Sequence, residues 1–394
     1  MDGPHKRTLA AGWIRRPDPT EDFTANPVEL FFDLAFVFAF AQLVSHLVHH
    51  PDVEGILEAA LLFWMLWLPW SQVTWATNAV SANARNVQVI LLVATVASVP
   101  MAASISTAFD DGGWIFTGSV AVILATGLML LIMASPTGSP EWRSSVRYAI
   151  PNAVAVVFFF VGAAVDAQPT RVTLWLVGIA IIAVGTLGAG RGDWVIRPGH
   201  FAERHGLILI IALGEVIVAL AVPVLDSLGE QRGLPGTTIA ALTAAGIFAA
   251  LLWWGYFDRP QHALEHRFAE LAGRERSAFA RDVYTYLHSL IVAGVILSAA
   301  ALEEITLHPS DPLPLEFRVM LLIGLTMYVL AVEVSAWRAY HVIPPERAAG
   351  AIVLAGVLLL GGSLDGVWLL VLIDTVVLVT FGLESRRLER PTVS

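Results

Sequence analysis

The sequence predicts an all-α fold, a polytopic transmembrane helical bundle of about twelve spans. Hydrophobic residues make up 56% of the 394 positions and charged residues only 14%, whereas a soluble domain carries about 25% charged residues. The mean hydropathy of +0.70 points to the same class. A helix needs about 20 apolar residues to cross the hydrocarbon core. The stretches predicted to do so are 27–49, 54–78, 87–109, 113–134, 146–166, 171–190, 201–223, 237–258, 282–304, 316–340, 346–362 and 364–384.

Composition and motifs exclude several classes of protein. The formal net charge is −10 and the chain has no basic tail or patch, so no nucleic acid is expected as a partner. There are no cysteines, which rules out disulfides, thiolate metal sites and cysteine nucleophiles. No P-loop, HExxH, GxSxG or dinucleotide fingerprint occurs. The sequence therefore predicts neither a cofactor nor a metal site, and it leaves the oligomeric state open.

The distribution of basic residues predicts the orientation of the chain. If the N-terminus is cytoplasmic, alternating spans place every lysine and arginine except Arg171, Arg232 and Arg318 on the cytoplasmic side, as the positive-inside rule requires. We therefore expect both termini in the cytoplasm. The expected parts are a cytoplasmic N-terminal segment (1–26), a transmembrane helical domain (27–384) and a cytoplasmic tail (385–394).

The longest cytoplasmic loop, 259–281, carries apolar residues at helical spacing among many charges. This pattern predicts an amphipathic helix that lies on the inner face of the membrane. The apolar positions are Leu264, Phe268, Leu271 and Phe279.

Two pairs of spans also fit a 6+6 parallel repeat, an arrangement that many transporters have. The first and seventh spans both begin with a glutamate, and the second and eighth are both rich in tryptophan. The remaining spans show no obvious match.

Glu29 and Asp33 open the first span and share one helix face, because they are four residues apart. Glu29 also has an ordinary explanation: a carboxylate in the first turn, close to Pro27, complements the helix dipole at a wet interface. That explanation fits Asp33 less well, because it lies one turn deeper among apolar residues. Gln42 and His46 occupy the roughly opposite face, so this helix is expected inside the bundle.

The seventh span holds Glu203, Arg204 and His205 at its inner mouth and Glu215 near the bilayer midplane. Arg204 and Glu215 are about 16 Å apart along the helix axis, so they cannot pair with each other. Because a buried charge needs a partner, we predict that Arg204 lies close to a carboxylate of the first span. A structural ion pair is the alternative explanation for Glu203 and Arg204, whereas a functional role is favoured for Glu215.

Three more polar residues lie within apolar spans: His288, Glu333 and Asp374. A lone histidine near an interface is more often a hydrogen-bonded packing residue than a ligand, and a membrane carboxyl such as Asp374 can simply bond a neighbouring helix. His200, Glu203 and His205 could together be read as metal ligands, but their spacing matches no known site.

The segments VELFFDLAFVFAFAQL (28–43) and HFAERHGLILIIALGE (200–215) resemble the bacterial low-temperature-requirement A (LtrA) family. The resemblance covers nearly the whole chain and implies a multi-pass protein of the bacterial inner membrane, without a settled activity. Two departures stand out: Val216 replaces the usual serine after the LGE triplet, and the second span ends at Asn78 without the family's Asn-Arg-aromatic-Asp ending. The residues that match the family's polar positions are Glu29, Asp33, Glu203, Arg204, His205, Glu215, Asp258 and His288.

The membrane carboxylates predict proton-coupled secondary transport of a small solute or ion across the lipid bilayer, because charges at membrane depth are costly and are kept where they are used. The alternative is a membrane-embedded enzyme or lipid-handling protein that uses the polar residues at the inner ends of the first and seventh spans. A third hypothesis is a membrane sensor or assembly factor, but the chain contains no recognisable soluble signalling domain. The sequence does not name the substrate or the coupling ion.

Overall fold

The computed structural model describes residues 24–189, 194–227 and 234–389. Most of the predicted N-terminal segment and the end of the predicted tail lie outside these residues. Within them the chain forms α-helices and no sheet, apart from an isolated bridge between Pro312 and Asp365. The helices are α1 (Pro27–His49), α2 (Val53–Ala79), α3 (Arg85–Ala103), α4 (Gly113–Ala134), α5 (Pro140–Ala163), α6 (Gln168–Ala189), α7 (Pro198–Ser227), α8 (Gly236–Phe257), α9 (Pro260–Glu270), α10 (Gly273–Phe279), α11 (His288–Leu307), α12 (Leu315–Tyr340), α13 (Pro345–Leu360) and α14 (Gly366–Glu389).

Ten helical segments of the described chain are long and apolar enough to cross a membrane, which confirms the polytopic helical fold. Two of the predicted spans are not among them. In α7 the described side chains include Glu203, Arg204 and Glu215, so its apolar run is interrupted by charges. The other, α13, has 16 residues and is therefore about 24 Å long, shorter than a hydrocarbon core of about 30 Å.

The chain divides into two compact units that interleave along the sequence. The first comprises residues up to Gln42 together with Ala60–Leu207 and Phe268–Thr285. The second comprises Leu43–Ala59, Ile208–Arg267 and the chain from Tyr286 onward. These units do not coincide with the first six and last six spans, so the 6+6 repeat stays a prediction.

In the first unit, α3, α4, α5 and α6 pack each against the next as antiparallel neighbours. Their connections are tied together by Arg171, which is 4% exposed. Its guanidinium donates hydrogen bonds to the carbonyl oxygens of Val165 (3.2 Å), Ala108 (3.3 Å) and Asp110 (3.0 Å). One of the few arginines outside the predicted cytoplasmic side therefore has a structural role.

In the second unit, α11 and α12 form the most extensive helix pair, and α14 packs against both α8 and α13. Two glycines face each other where α11 and α12 cross. A Cβ atom at Gly294 would lie 2.5 Å from the carbonyl oxygen of Gly324, and one at Gly324 would lie 2.6 Å from that of Gly294. Small residues of this kind allow membrane helices to approach closely, so no other residue fits at either position without moving the backbone.

The segment 259–281 is helical, but it differs from the predicted single helix on the membrane surface. It forms α9 and α10, which are separated at Ala272 in an extended conformation. A π-helical stretch, Ala280–Leu287, follows and leads directly into α11. The apolar side chains that were expected to face lipid are instead buried by other residues of the protein. They are Leu264, Phe268, Leu271 and Phe279.

Candidate functional site

An arginine held between two carboxylates forms the centre of the candidate site in the first unit. Arg204 on α7 donates from Nη1 to Glu29 Oε1 at 2.8 Å and from Nη2 to Asp33 Oδ1 at 2.6 Å, both on α1. All three side chains are 0% exposed. The prediction that Arg204 lies close to a carboxylate of the first span is therefore confirmed, and it contacts both.

The start of α1 explains why Glu29 points into this cluster. Asn26 precedes Pro27 and accepts the backbone N–H of Val28 on its side-chain oxygen at 3.1 Å. Glu29 Oε2 accepts the backbone N–H of Asn26 at 2.9 Å, which is the contact that the acidic residue makes in a capping box. Glu29 is thus both a helix cap and an ion-pair partner, and it is buried rather than placed at a wet interface.

Three further side chains complete the inner contacts of the cluster: His200, which the sequence suggested only as a possible metal ligand, and Trp70 and Thr77, which it did not indicate. His200 Nε2 lies 3.2 Å from Glu29 Oε2, Trp70 Nε1 donates to Asp33 Oδ1 at 2.8 Å, and Thr77 Oγ1 lies 3.4 Å from Arg204 Nη1. For His200 a signal was available, because it is four residues before Arg204 and so shares its helix face. Trp70 and Thr77 gave none, because they read as ordinary residues of a tryptophan-rich span.

The cluster carries more acid than base. Two carboxylates face one guanidinium in a fully buried place, before any charge on the imidazole of His200 is counted. Two polar atoms, Asp33 Oδ2 and Arg204 Nε, have no hydrogen-bond partner among the residues that the structure describes. Polar groups buried without a partner are costly. The arrangement can therefore accept a proton or a small cation at Asp33.

Aromatic side chains enclose the cluster beside His205. The imidazole of His205 donates through Nδ1 to the carbonyl of Phe201 at 2.8 Å. Its ring centroid lies 4.6 Å from that of Phe201, 5.1 Å from those of Trp70 and Tyr284, and 6.3 Å from that of Trp67. This shell keeps water away from the ion pairs, and an electrostatic interaction is stronger where water is excluded.

The π-helical stretch contributes acceptors to the same wall. Thr285 accepts a hydrogen bond from Trp67 Nε1 on its carbonyl oxygen at 2.7 Å and one from Trp75 Nε1 on Oγ1 at 2.9 Å. Single π-helical turns often occur at functional sites. Here the turn anchors two tryptophans of α2 next to the cluster.

The end of α2 also belongs to this region, although it lacks the family's expected ending. Asn78 Oδ1 accepts the backbone N–H of Arg197 at 3.1 Å, just before α7 begins. Together with Thr77, it fixes the start of α7 relative to α2. The departure from the family pattern therefore leaves the helix end connected to the site.

The other predicted residues of the seventh span have separate partners. Glu203 is half-buried, and its Oε2 accepts the backbone N–H of Ala25 at 2.8 Å. His200, Glu203 and His205 each contact a different group, and no set of three potential metal ligands converges among the described residues. Their interpretation as a metal site finds no support in this geometry.

The second unit holds Glu215, Asp258 and His288. Glu215 is 2% exposed, and its Oε2 has no hydrogen-bond partner among the described residues. His288 is buried, and its Nδ1 lies 3.4 Å from the hydroxyl of Tyr256. Asp258 is different, because it is exposed at the end of α8, where it pairs with the neighbouring Arg259 at 3.4 Å. The structure therefore does not bring Asp258 into a buried site.

The remaining candidates also lie at distinct places. Gln42 is half-buried in the first unit. In the second unit, His46 pairs with Glu58 at 3.2 Å. Asp374 is buried on α14, with no hydrogen-bond partner for Oδ1 among the described residues. Glu333 lies 3.7 Å from Arg347 Nε.

Similarity to known proteins extends over most of the chain. The profile described as bacterial low temperature requirement A protein (LtrA) matches residues 24–381. An uncharacterized protein of Rhizobium meliloti (strain 1021) is 26% identical over 308 residues, which cover 75% of this chain and 73% of that protein. No solved structure matches. The profile match includes α1, α7 and every residue of the buried ion-pair cluster, and the chain is therefore a multi-pass membrane protein that belongs to the bacterial LtrA family.

Proposed function

We propose that the protein is a proton-coupled secondary transporter of a small solute or ion in the bacterial inner membrane, in which the cluster of Glu29, Asp33 and Arg204 couples protonation to conformation. One observation supports this proposal above the others. The cluster joins α1 to α7 through two charge-assisted hydrogen bonds, is 0% exposed, and contains one carboxylate more than the arginine can neutralise.

The proposed coupling follows from the cost of buried charge. An uncompensated charge inside a membrane protein is unfavourable, so the excess charge is offset when Asp33 binds a proton. A protonated Asp33 attracts Arg204 less than a carboxylate does, and the contact between α1 and α7 weakens. A helix contact whose strength depends on one proton is the two-state element that transport needs.

Flux through reconstituted protein tests the proposal. The full-length protein is placed in liposomes that contain a pH-sensitive dye, and a pH gradient is imposed in the presence of small amines, anions and metal cations, one at a time. We expect at least one solute to accelerate the movement of protons above that in protein-free liposomes. If none of them does so, while circular dichroism shows that the protein is folded, proton-coupled transport of these solute classes is ruled out.

The orientation of the chain is part of the proposal. A reporter fused after the C-terminal residue, and another inserted at Ala272, should both be active in the cytoplasm, because arginines concentrate on that side of the predicted spans. Ala272 is exposed between α9 and α10, so an insertion there leaves both helices intact. Activity of either reporter outside the cell would require a different number of spans.

Glu215 is proposed as a second proton carrier, because it is buried and its Oε2 has no hydrogen-bond partner among the described residues. Glu215→Gln keeps the shape but cannot titrate. We expect it to fold normally and to lose pH-dependent flux, while Glu215→Asp keeps part of it. Full pH-dependent flux through the glutamine variant would mean that Glu215 is only a hydrogen-bonding group.

A further inference from the structure

A cavity of about 140 Å³ lies in the second unit and is lined by residues of α9, α12, α13 and α14. Its size is close to that of an engineered cavity of about 150 Å³ that holds benzene, so it has room for a small chemical group. Most of the wall is apolar, but it contains two acidic and two basic side chains. These are Glu333, Glu384, Arg259 and Arg347.

Arg347 lies on the buried side of this cavity, where two acidic side chains, a backbone carbonyl and an aromatic ring hold its guanidinium in place. Its Nε donates to Glu384 Oε2 at 2.8 Å and lies 3.7 Å from Glu333 Oε1. Its Nη1 donates to the carbonyl of Gly255 at 3.2 Å, and its guanidinium lies over the ring of Phe381, 5.3 Å from the centroid. The arginine is therefore fixed as part of the wall.

Glu333 is left with one unsatisfied oxygen. Its side chain is 7% exposed, and Oε2 has no hydrogen-bond partner among the described residues. A buried acceptor without a donor is unfavourable. Glu333 Oε2 therefore lacks a hydrogen-bond donor, and a ligand with a positively charged N–H group in the cavity would supply one.

The acidic and basic side chains of the cavity wall favour a zwitterionic ligand, which carries both a positive and a negative charge. The two carboxylates and two guanidinium groups sum to zero, so a purely anionic ligand would face Glu333 without a donor. Arg259, whose side chain is 39% exposed, lies on the wall with its Nε 3.4 Å from Asp258 Oδ2, and the remaining N–H groups of its guanidinium can bind a phosphate. An ammonium next to Glu333 and a phosphate next to Arg259 would satisfy both ends.

An apolar groove of about 30 Å³ adjoins this cavity, and the two share the wall residues Val332 and Arg347. The groove lies among helices of the membrane domain and has room for about two or three carbon atoms at the start of a hydrocarbon chain. A soluble zwitterion would make no use of it. The groove is lined by Leu252, Leu325, Val329, Leu354 and Val377, among others.

We propose that this cavity and groove bind one aminophospholipid, with its ammonium on Glu333, its phosphate on Arg259 and the start of an acyl chain in the groove. None of these residues belongs to the cluster of Glu29, Asp33 and Arg204. The proposal therefore stands or falls independently of proton-coupled transport.

Native mass spectrometry tests the proposal with the full-length, delipidated protein. The protein is titrated with phosphatidylethanolamine, phosphatidylcholine and phosphatidylglycerol that carry identical acyl chains. We expect phosphatidylethanolamine to bind at least about tenfold more tightly than the others, the effect of one charge-assisted hydrogen bond. Phosphatidylcholine lacks the N–H donor, and phosphatidylglycerol lacks the ammonium group. Equal binding of all three would overturn the proposal, as would equally effective competition by soluble phosphoethanolamine.

Two variants place the binding at this cavity. Glu333→Gln should remove the preference for phosphatidylethanolamine, whereas Glu316→Gln should preserve it, because Glu316 is exposed at the other end of α12. Ala336→Trp fills the cavity without changing any charge and should prevent binding, which keeps the test decisive if the Glu333 variant does not fold. A preference for phosphatidylethanolamine that persists in a folded Ala336→Trp protein would refute the assignment.

Discussion

Replacing Arg204 by glutamine is expected to destabilise the protein by about 3–5 kcal/mol, the cost of removing one partner from a buried ion pair. Glu29 and Asp33 would lose donors that now lie at 2.8 and 2.6 Å, and both would remain buried. Their other partners are the indole of Trp70, the backbone N–H of Asn26 and the imidazole of His200, each of which contacts only one of the two carboxylates that the guanidinium bridges. The change is measured as the loss of free energy of unfolding in detergent, together with the amount of folded protein in the membrane.

A set of matched variants separates the loss of the ion pair from the loss of the side chain. Combining Arg204→Gln with Glu29→Gln and Asp33→Asn removes all three charges and should recover most of the stability, because no uncompensated charge remains. Arg386→Gln removes an exposed arginine from the last turn of α14 and should change little. Equal stability of the wild type and the single Arg204 variant would contradict the structure of the cluster.

The pairing of Arg204 with the first span could be predicted from sequence because it follows from burial alone. A charged residue in an apolar helix needs an opposite charge, and only a few candidates lie at a similar depth. Glu29 and Asp33 were such candidates, since they share one face of α1. The same rule gave no information on neutral partners. Trp70 and Thr77 were therefore missed, although both contact the cluster.

The local sequence pattern did not predict the structure of segments whose environment depends on packing against distant parts of the chain. The segment 259–281 has the spacing of a membrane-surface helix, but its apolar face is buried by protein, and periodicity cannot distinguish these two environments. The π-helical stretch that follows gave no sequence signal, because it depends on side chains such as Trp67 and Trp75 from another helix. Asp258 matched the family pattern and yet lies exposed, because α8 ends at Phe257.

The contact between Glu333 and Arg347 could not be predicted from local sequence either. The sequence marked Glu333 as a charge within an apolar span, and the predicted boundaries placed Arg347 at the start of the eleventh span. Nothing local connects these two residues with Glu384, which comes 37 residues after Arg347. Only the packing of α13 against both α12 and α14 brings the three together, so the cavity beside them could not be predicted.

Replacing Asp33 by asparagine is expected to leave the protein folded and to reduce proton-coupled flux to the level of protein-free liposomes. The amide oxygen can still accept the hydrogen bonds that Arg204 and Trp70 now donate to Oδ1. One of the two carboxylates disappears, so Glu29 and Arg204 balance each other without a proton on residue 33. The contact between α1 and α7 then no longer depends on protonation, and coupling is lost. Asp33→Glu retains a titratable group and should keep part of the flux.

Three comparisons make this result specific to Asp33. Asp311→Asn removes an exposed carboxylate at the loop between α11 and α12 and should leave the flux unchanged. The free energy of unfolding of the Asp33→Asn variant should stay within about 2 kcal/mol of that of the wild type. The variant gains one unpaired hydrogen-bond donor, which is unfavourable, and loses one buried charge, which is favourable. Flux is measured at several external pH values, since a coupled proton produces a pH dependence that a merely structural contact does not. A folded Asp33→Asn protein with the full, pH-dependent flux of the wild type would remove the cluster from the coupling mechanism and leave Arg204 with a structural role only.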